Sequence, residues 1–522
     1  MKNNGMRGCI IRLAVIAACL FITAVMVSAD SKRRGIDETS FMYATVSGER
    51  INIFRQSDEN YLFLAGFMDE EKTVYSSEAM RLIKSAQKEN GDDGIKVLKS
   101  GSVPAIFIDT NSGSLDRIYA DKDYRETGKI RIYDEDGNLE SSLGLEYIKG
   151  RGNYSWTNWD KKSFKIKLRK TSSILGTGEG KDYALIANAS DATLLRNEIG
   201  RQLEIRVGIP FAGAGAFTDL YINGDYMGNY YLCGSIEVGA GRVDITSIDE
   251  EQNRITDRIN TDALAVYETP TMKGWNLDER VPDITGGYLL EREFGDRYDL
   301  GYDDFNNGFV TDAGEHYIVV SPRYCTVSEI NYISSYCQRV EDEILSGSDD
   351  FTTIDTESFA RRYMVEELLK NYDGGVSSAY YFKDSDVKGG KFSAGPGWDF
   401  DMSLGNYLDW MEYYGEDATG ITGLYLSEHS SIYYKELIKR ESFLRLVHDS
   451  FRKDALPYME SLVKTGIDEY RVRLEKSCLM DSVRWSSMYE EKGYVCGDRA
   501  EYESLKDFIR VRISYLDNMW RD

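Results

Sequence analysis

The stretch 371–406 constrains this chain most, because it predicts a β-hairpin with acidic residues at both ends. One strand is predicted at 380–382 and the other at 391–394, with a polar glycine-rich turn between them. A hairpin folds back on itself, so it can bring the segment before it close to the segment after it. The acidic residues concerned are Asp373 before the hairpin, and Asp399 and Asp401 after it.

Composition excludes several kinds of active site. The chain has 522 residues, with frequent aromatic residues and few prolines, which favours a folded protein with a large core over disordered linkers. Its three histidines, His316, His429 and His448, are far apart in the sequence. A histidine-based zinc site and a Ser-His-Asp hydrolase are therefore disfavoured. Carboxylates and lysines are left to carry any chemistry.

The N-terminus is typical of a secretory signal peptide, which we predict at residues 1–29. Basic residues precede an apolar run at 13–27, and Val27-Ser28-Ala29 forms a small-residue cleavage pattern. A lipoprotein signal ending at Cys19 is the weaker alternative, because the apolar run continues beyond it. The run is short for a membrane span, and no later stretch is apolar enough for one. We expect a secreted or cell-surface protein with no membrane span in its mature chain.

The net negative charge of the chain restricts the kinds of molecule that it can bind. The formal charge is −24, and it becomes −27 without the three basic residues of 1–29. Such a surface repels nucleic acid, so we predict no nucleic-acid partner, and it suits a divalent cation or a basic protein. The five cysteines beyond residue 29 are odd in number and widely spaced, which predicts mostly buried free thiols, although Cys478 and Cys496 could pair.

Strands and helices are distributed unevenly along the chain. Residues 30–100 predict a small β-rich accessory region with a helix at 77–88. From residue 101 onward, strands and one helix come first, and helices with the hairpin come later. This order predicts an α+β chain with two lobes and a cleft between them, the first lobe at about 101–295 and the second, mostly helical, at about 296–522. The predicted helices beyond residue 100 are 194–203, capped by Ser190 or Asp191, then 327–345, 356–370, 433–437, 442–464, 465–477 and 503–518.

A glycine-containing loop at 150–156 lies between strands predicted at 143–149 and 163–168. Glycines let backbone N–H groups approach a phosphate, and a lysine on the next strand can neutralise its charge. Strand alternation puts Lys162 on the face of the apolar residues, and Lys161, Lys165 and Lys167 on the opposite face. The alternative is a tight hairpin with a solvated lysine face.

Seven motifs in order resemble the spore-coat protein H (CotH) kinase family, from about residue 101 to near the C-terminus. They are Arg151-Gly152-Asn153 with Trp156; 161–167; 194–197; 220–226 with Gly228; 287–291; Asp373 before 380–382; and 395–401 with Gly405.

The resemblance implies a diverged, two-lobed protein-kinase-like fold that binds ATP and Mg²⁺ or Mn²⁺. Asp373 would match the catalytic-loop aspartate at the acceptor hydroxyl. The metal-binding residues implied are Asp399, Asp401 and Ser378. The ATP-binding residues implied are Arg151, Gly152, Asn153, Asn197 and Glu291, together with Lys162 or Lys167 as the phosphate-binding lysine.

Three positions differ from the family pattern. Asn371-Tyr372 precede Asp373 where kinases have His-Arg, and Ser378 stands where kinases place a metal-binding asparagine. Cys233-Gly234-Ser235 replaces a Thr-Glu-Gln-like triplet, so the glutamate of that triplet is missing.

The resemblance implies an exported kinase that phosphorylates Ser or Thr of a surface or coat protein. The negative charge of the chain favours a basic, Ser-rich acceptor. A non-catalytic surface binding or adhesion module on the same fold is the alternative. A metal-dependent hydrolase that uses the three aspartates is the third reading.

Overall fold

The computed structural model describes residues 42–520 except 56–60, 69, 90–94, 251–264, 278–281, 294, 296–304, 372–373, 375–377, 408–416 and 421–430. The predicted signal peptide therefore lies outside the described residues. The described chain divides into two compact units, 42–65 with 70–98 and 66–68 with 99–520. Within the described ranges, no helix combines the length and the apolar character that crossing a membrane requires.

The first unit contains two three-stranded sheets and one helix. One sheet has the order β2-β1-β5 and the other β3-β4-β6. The helix α1 is amphipathic and begins at the position predicted for it. The bounds are β1 Tyr43–Val46, β2 Glu49–Asn52, β3 Phe54–Arg55, β4 Tyr61–Ala65, β5 Thr73–Tyr75, α1 Ser77–Glu89 and β6 Ile95–Lys99.

The second unit begins with a closed seven-stranded barrel of order β10-β11-β13-β12-β7-β8-β9. The pair β12–β7 is parallel, and the other neighbours are antiparallel. On β10, Phe164, Ile166 and Leu168 are fully buried and alternate with partly exposed lysines, as strand periodicity requires. The bounds are β7 Ala105–Thr110, β8 Glu126–Tyr133, β9 Leu139–Arg151, β10 Ser163–Ser173, β11 Glu179–Ile186, β12 Gly215–Ile222 and β13 Asp225–Gly234.

A second seven-stranded sheet has the order β14-β15-β17-β18-β16-β19-β20. It contains the hairpin predicted from 371–406, in which Tyr381 pairs with Ala394 and Phe382 with Ser393. Its strands come from both sides of residue 295, where we predicted the lobe boundary. The bounds are β14 Val266–Thr269, β15 Met272–Trp275, β16 Tyr288–Glu293, β17 Gly308–Val310, β18 His316–Ser321, β19 Ala379–Lys383 and β20 Phe392–Ala394.

Helices cover most of the described chain after residue 430. The helix α5 begins with a capping box, in which Thr326 and Glu329 each accept the other's backbone N–H, and both α5 and α6 begin where predicted. The mixed α+β class is confirmed. The bounds are α2 Asp116–Ala120, α3 Tyr154–Asn158, α4 Arg196–Val207, α5 Val327–Leu345, α6 Thr356–Leu369, α7 Ile432–Leu437, α8 Glu441–Ser450, α9 Leu456–Ser461, α10 Ile467–Arg484, α11 Ser486–Lys492 and α12 Arg499–Met519.

Two helix predictions need correction. The helix predicted to include Leu194 begins only at Arg196, because Leu194 has a left-handed backbone with φ +63°. The helices predicted at 442–464 and 465–477 form one continuous helical run from α8 to α10. Two π-helical segments, Phe451–Ala455 and Leu462–Gly466, join its parts. The prediction of buried free thiols is confirmed for Cys233, Cys325, Cys337, Cys478 and Cys496.

Candidate functional site

The segment after β20 is anchored by Phe400, which lies between the two predicted metal ligands. Phe400 is fully buried, and its backbone N–H donates to Oδ1 of Asn197 at 3.1 Å. Gly200 on the next turn of α4 leaves room for its ring, because a Cβ there would lie less than 3.0 Å from the ring atoms. This packing fixes the backbone of Asp399 and Asp401 on either side of the aromatic residue.

Asp399 receives two polar side chains. Ser378, just before β19, donates from Oγ to Oδ2 of Asp399 at 3.2 Å. Arg151, the last residue of β9, places Nη2 3.4 Å from Oδ1 of the same carboxylate. Residues that the sequence separates by more than 200 positions therefore meet at one aspartate.

Asp401 lies in a more enclosed environment. Its Oδ2 accepts a hydrogen bond from Oγ of Ser190 at 3.2 Å. Burial, and then the negative charge of Asp399, raise the pKa of Asp401 to about 6. A cation between the two carboxylates would offset the negative charge that raises the pKa of Asp401.

The Trp398 ring contacts two arginines. Cζ of Arg151 is 4.7 Å from the centre of its ring, and Cζ of Arg201 on α4 is 4.8 Å away. Both distances are within the range of cation–π attraction. The stack connects the end of β9 to α4 across the segment that carries Asp399.

Asn197 has a structural role in this arrangement. Its Nδ2 donates to Oδ1 of Asn188 at 2.9 Å, while its Oδ1 accepts from Phe400. The side chain is buried, and its amide group is used at both ends. Asn197 thus orients the acidic segment through the backbone.

The predicted lysines lie in different surroundings. Nζ of Lys162 donates to the carbonyl oxygen of Trp156 at 2.5 Å, and Nζ of Lys167 lies 3.4 Å from Oε1 of Glu146. Lys165, which is not among the predicted ATP-binding residues, forms an ion pair with Asp182 at 2.9 Å. Which lysine binds phosphate stays a prediction.

The glycine loop makes a sharp turn at Gly152, which has φ +92°. A side chain at this position would also meet Oγ of Ser155. Asn153 accepts a hydrogen bond from Nζ of Lys122 at 2.8 Å. The loop then forms the short helix α3, so the predicted hairpin contains a helical turn.

Glu291 lies on β16, opposite Tyr380 of β19 in the sheet register. Burial raises the pKa of Tyr380, and the charges of Glu291 and Asp399 raise it further. The Tyr380 side chain therefore lies close enough to both Glu291 and Asp399 to be affected by their charges.

Asp373 lies outside the described residues, but its flanks are described. Asn371 donates from Nδ2 to Oε2 of Glu366 at 2.8 Å. A Cβ at Gly374 would lie less than 3.0 Å from the Glu366 carboxylate. Glu366 on α6 thus contacts the chain on both sides of the predicted catalytic residue.

A buried ion pair network joins these segments, and no pattern in the sequence predicts it. Arg362 on α6 lies 3.2 Å from Oε1 of Glu204 and 2.6 Å from Oε1 of Glu366. The same Glu204 oxygen accepts from the backbone N–H of Gly397 at 2.6 Å. Burial raises the pKa of Glu204 to about 7. One arginine therefore connects α4, the Asp399 segment and the approach to Asp373.

A comparison with family models matches most of the chain. The family model described as CotH kinase protein matches residues 148–516. The chain belongs to the CotH kinase family. The match contains every residue predicted for the site, and it confirms the resemblance based on the seven motifs. A search of the curated proteins finds no match.

CotH kinase membership implies ATP and a divalent metal, and the oxygen donors fit such an ion. Mg²⁺ usually takes one or two carboxylates and completes its shell with phosphate and water. Asp399 and Asp401 supply two carboxylates, and Ser378 supplies a hydroxyl beside them. In the described part of the chain, no three His, Cys, Asp or Glu side chains form a cluster. The donor set therefore suits a phosphate-bound cation better than a cage made of protein alone.

Proposed function

We propose that this CotH family member is an exported, ATP- and Mg²⁺-dependent protein kinase-like enzyme with a two-lobed kinase-like fold. It transfers the γ-phosphate of ATP to a Ser or Thr hydroxyl of a surface or coat protein. The observation that carries the proposal is the arrangement at Asp399, where the Ser378 hydroxyl donates to a carboxylate close in sequence to Asp401, whose pKa is raised.

The reaction needs little covalent chemistry from the protein. The acceptor oxygen forms a bond to the γ-phosphorus, while the bond from that phosphorus to the β–γ bridging oxygen breaks and ADP leaves. Asp373 orients the acceptor hydroxyl and accepts its proton. When bound, Mg²⁺ neutralises charge on the phosphate oxygens. Catalysis then depends on alignment and charge, which the residues around Asp399 supply.

The network at Arg362 supports this proposal. A catalytic aspartate and a metal-binding aspartate act together only if their backbones keep a fixed separation. Glu366 contacts both described flanks of Asp373, and Glu204 holds the backbone just before Trp398. Because Arg362 lies against both glutamates, the two segments have a common support.

The non-catalytic binding module remains the second candidate, because Arg151 lies beside Asp399. An arginine beside the metal-binding carboxylate already neutralises part of its charge. The Asp399 and Arg151 side chains are 32% and 22% exposed, so water weakens their attraction. A bound cation would replace this pair in a kinase, whereas a binding module would keep it.

Transfer of labelled phosphate distinguishes the two candidates. The purified chain is incubated with Mg²⁺ and γ-labelled ATP, with and without a casein-like acceptor. A kinase labels itself or the acceptor. We expect Asp373→Asn to abolish labelling with the fold intact, and Asp399→Ala to weaken Mg²⁺-dependent ATP binding as well. Asp350→Ala removes an exposed carboxylate elsewhere and serves as the control.

The outcomes are distinct. If the wild-type chain binds no nucleotide and labels nothing, the kinase proposal fails and the binding module is favoured. If both aspartate variants keep full transfer, the assignment of these residues is wrong. For the acceptor, the formal charge of −27 in the mature chain favours a basic, Ser-rich protein.

A further inference from the structure

A cavity of about 360 Å³ lies next to the Trp398 stack. Its walls come from the end of β13 and the segment after it, from the β10–β11 turn, and from α4. The lining segments are 176–178, 211–214, 234–236 and 241–243, with Arg201, Ile205 and Pro396. Most of these residues are small or apolar, so the two arginines are the cationic groups of its lining.

Arg242 carries unused hydrogen-bond donors in this cavity. Its side chain is only 7% exposed. Nη1 donates to the carbonyl oxygen of Thr177 at 2.6 Å, but the buried Nε and Nη2 have no hydrogen-bond partner among the described residues. Buried donors without a partner are rare because each has lost its hydrogen bonds to water without replacing them. An acceptor from a ligand would satisfy them.

The nearby protein groups in the described part of the chain do not accept hydrogen bonds from Nε and Nη2 of Arg242. Glu237 places Oε1 3.9 Å from Nε of Arg242, which exceeds hydrogen-bond distance. The Tyr183 ring lies 4.9 Å from Cζ and presents its face to the guanidinium. Burial and the charge of Asp182 also raise the pKa of Glu237, which reduces its value as a counterion.

Gly234 makes the position of Arg242 possible. A Cβ at residue 234 would lie less than 3.0 Å from Cζ and from both terminal nitrogens of Arg242. Any side chain there would displace the guanidinium. This is the position at which the family resemblance leads us to expect a glutamate. The chain therefore has a buried cation where that pattern has an anion.

Arg201 adds a second positive charge to the same cavity. It is 4% exposed, and its Nη1 donates to the carbonyl oxygen of Gly213 at 3.1 Å. Its guanidinium also stacks on Trp398. Two largely buried arginines beside one cavity favour an anion, and the planar guanidinium matches the paired oxygens of phosphate.

We propose that this cavity binds a phosphate group, with Arg242 as its hydrogen-bond donor and Arg201 as the second cation. The phosphate belongs either to a bound nucleotide or to a free phosphate or pyrophosphate ion. The proposal rests on the cavity and Arg242, and it does not require phosphoryl transfer.

Calorimetric titration of the purified chain with inorganic pyrophosphate, and separately with ATP, tests the proposal without added metal. We expect Arg242→Ala to weaken pyrophosphate binding about 10- to 100-fold, the usual effect of losing a charge-assisted hydrogen bond. Ala214→Glu adds a carboxylate at a half-exposed lining position, and it should weaken binding similarly without removing a buried contact. Arg206→Ala removes an exposed arginine from the same helix as Arg201, and it should change affinity less than about 2-fold.

Comparing how Arg242→Ala affects pyrophosphate binding and ATP binding shows whether the phosphate belongs to a nucleotide or is a free anion. If pyrophosphate displaces ATP and Arg242→Ala weakens both, the cavity holds a nucleotide phosphate. If only pyrophosphate binding falls, the cavity holds a free anion apart from any ATP site. Absence of binding by both ligands at millimolar concentration would overturn the proposal. Unchanged affinity in the folded Arg242→Ala chain, or in Ala214→Glu if the first variant fails to fold, would also overturn it. A chain that binds pyrophosphate yet transfers no phosphate would overturn the kinase proposal alone.

Discussion

Ser378 donates a hydrogen bond to Oδ2 of Asp399, and both residues have a left-handed backbone, with φ +51° and +55°. Non-glycine residues in this region are uncommon, and they persist where surrounding contacts hold them. Here the contacts are the β19–β20 hairpin on one side and the packing of Phe400 on the other. The strained pair therefore joins the two ends of the hairpin at the candidate metal site.

Removing the Ser378 hydroxyl should weaken metal-dependent nucleotide binding. We expect Ser378→Ala to lower the affinity for ATP in the presence of Mg²⁺ about 3- to 10-fold, because Asp399 loses a donor that orients its carboxylate. Asparagine tolerates a positive φ and keeps a polar group, so Ser378→Asn should stay within about 3-fold of wild type. Calorimetric titration measures both variants, and equal affinity in Ser378→Ala and wild type would exclude a role for this hydroxyl.

Gly200 should tolerate no side chain. Glycine to alanine within a helix normally stabilises it by about 0.5–1 kcal/mol. At Gly200 the new methyl group would meet the Phe400 ring, so we expect Gly200→Ala to lower the free energy of unfolding by about 1–3 kcal/mol. Urea unfolding measures the change. Gly239 has open space around a Cβ, and Gly239→Ala should leave stability nearly unchanged. Equal stability of the two variants would contradict the packing described for Phe400.

The buried network should depend on Arg362. Replacing it with methionine leaves Glu204 and Glu366 buried without their cation, and we expect a loss of about 3–5 kcal/mol in unfolding free energy. The adjacent Arg361 pairs with Glu357 in a far more exposed position. Arg361→Met should therefore cost less than about 0.5 kcal/mol. Comparable losses in both variants, measured by chemical unfolding, would show that the network does not support the site.

Asp401 should make stability and metal binding depend on pH. Its folded-state pKa of about 6 is above the ordinary value of 3.8, so the folded state keeps the proton longer than the unfolded state. This difference stabilises the folded state most below about pH 4, and the stabilisation is lost as pH rises from about 4 to 6. The loss is at most about 3 kcal/mol, and partial exposure of Asp401 to water makes it smaller. Urea unfolding of wild type and Asp401→Asn across this range measures it, and parallel profiles would contradict the assigned pKa.

The same proton should compete with the cation. Between pH 7 and pH 5 the ionised fraction of Asp401 falls about tenfold for a pKa near 6. We expect Mg²⁺-dependent ATP affinity to fall by a similar factor in wild type and to change less in Asp401→Asn. An affinity that is independent of pH in the wild-type chain would exclude Asp401 as a ligand.

Local patterns predicted the elements that form within one stretch of sequence. The β19–β20 hairpin follows from two short strands around a glycine-rich turn. The β12–β13 hairpin follows from Asn223-Gly224, which has the positive φ values that a tight hairpin turn needs. The helices α5 and α6 also begin where predicted, and in the structure Thr326 and Asp355 cap their first turns.

Contacts between distant segments left no such signal. The barrel closes through the parallel pair of β7 and β12, whose residues are more than 100 positions apart. Glu204 on α4 resembles a surface residue in the sequence, but a distant arginine pairs with it in the core. Lys161 was grouped with the lysines of one strand face, yet it is buried and lies 2.5 Å from Asp481. Periodicity predicts which face of a strand or helix is apolar, but it does not predict which charged side chains form ion pairs with distant segments.

We expect Asp399 to hold a divalent cation against the phosphates of a nucleotide. Anomalous diffraction from crystals containing Mn²⁺ and a non-hydrolysable ATP analogue would locate such a cation. We predict a manganese peak within about 2.0–2.2 Å of an Asp399 oxygen, typical of a carboxylate bound to a small divalent cation, with phosphate oxygens in the same shell. Nucleotide bound without a metal at Asp399, or manganese bound only elsewhere, would contradict the account.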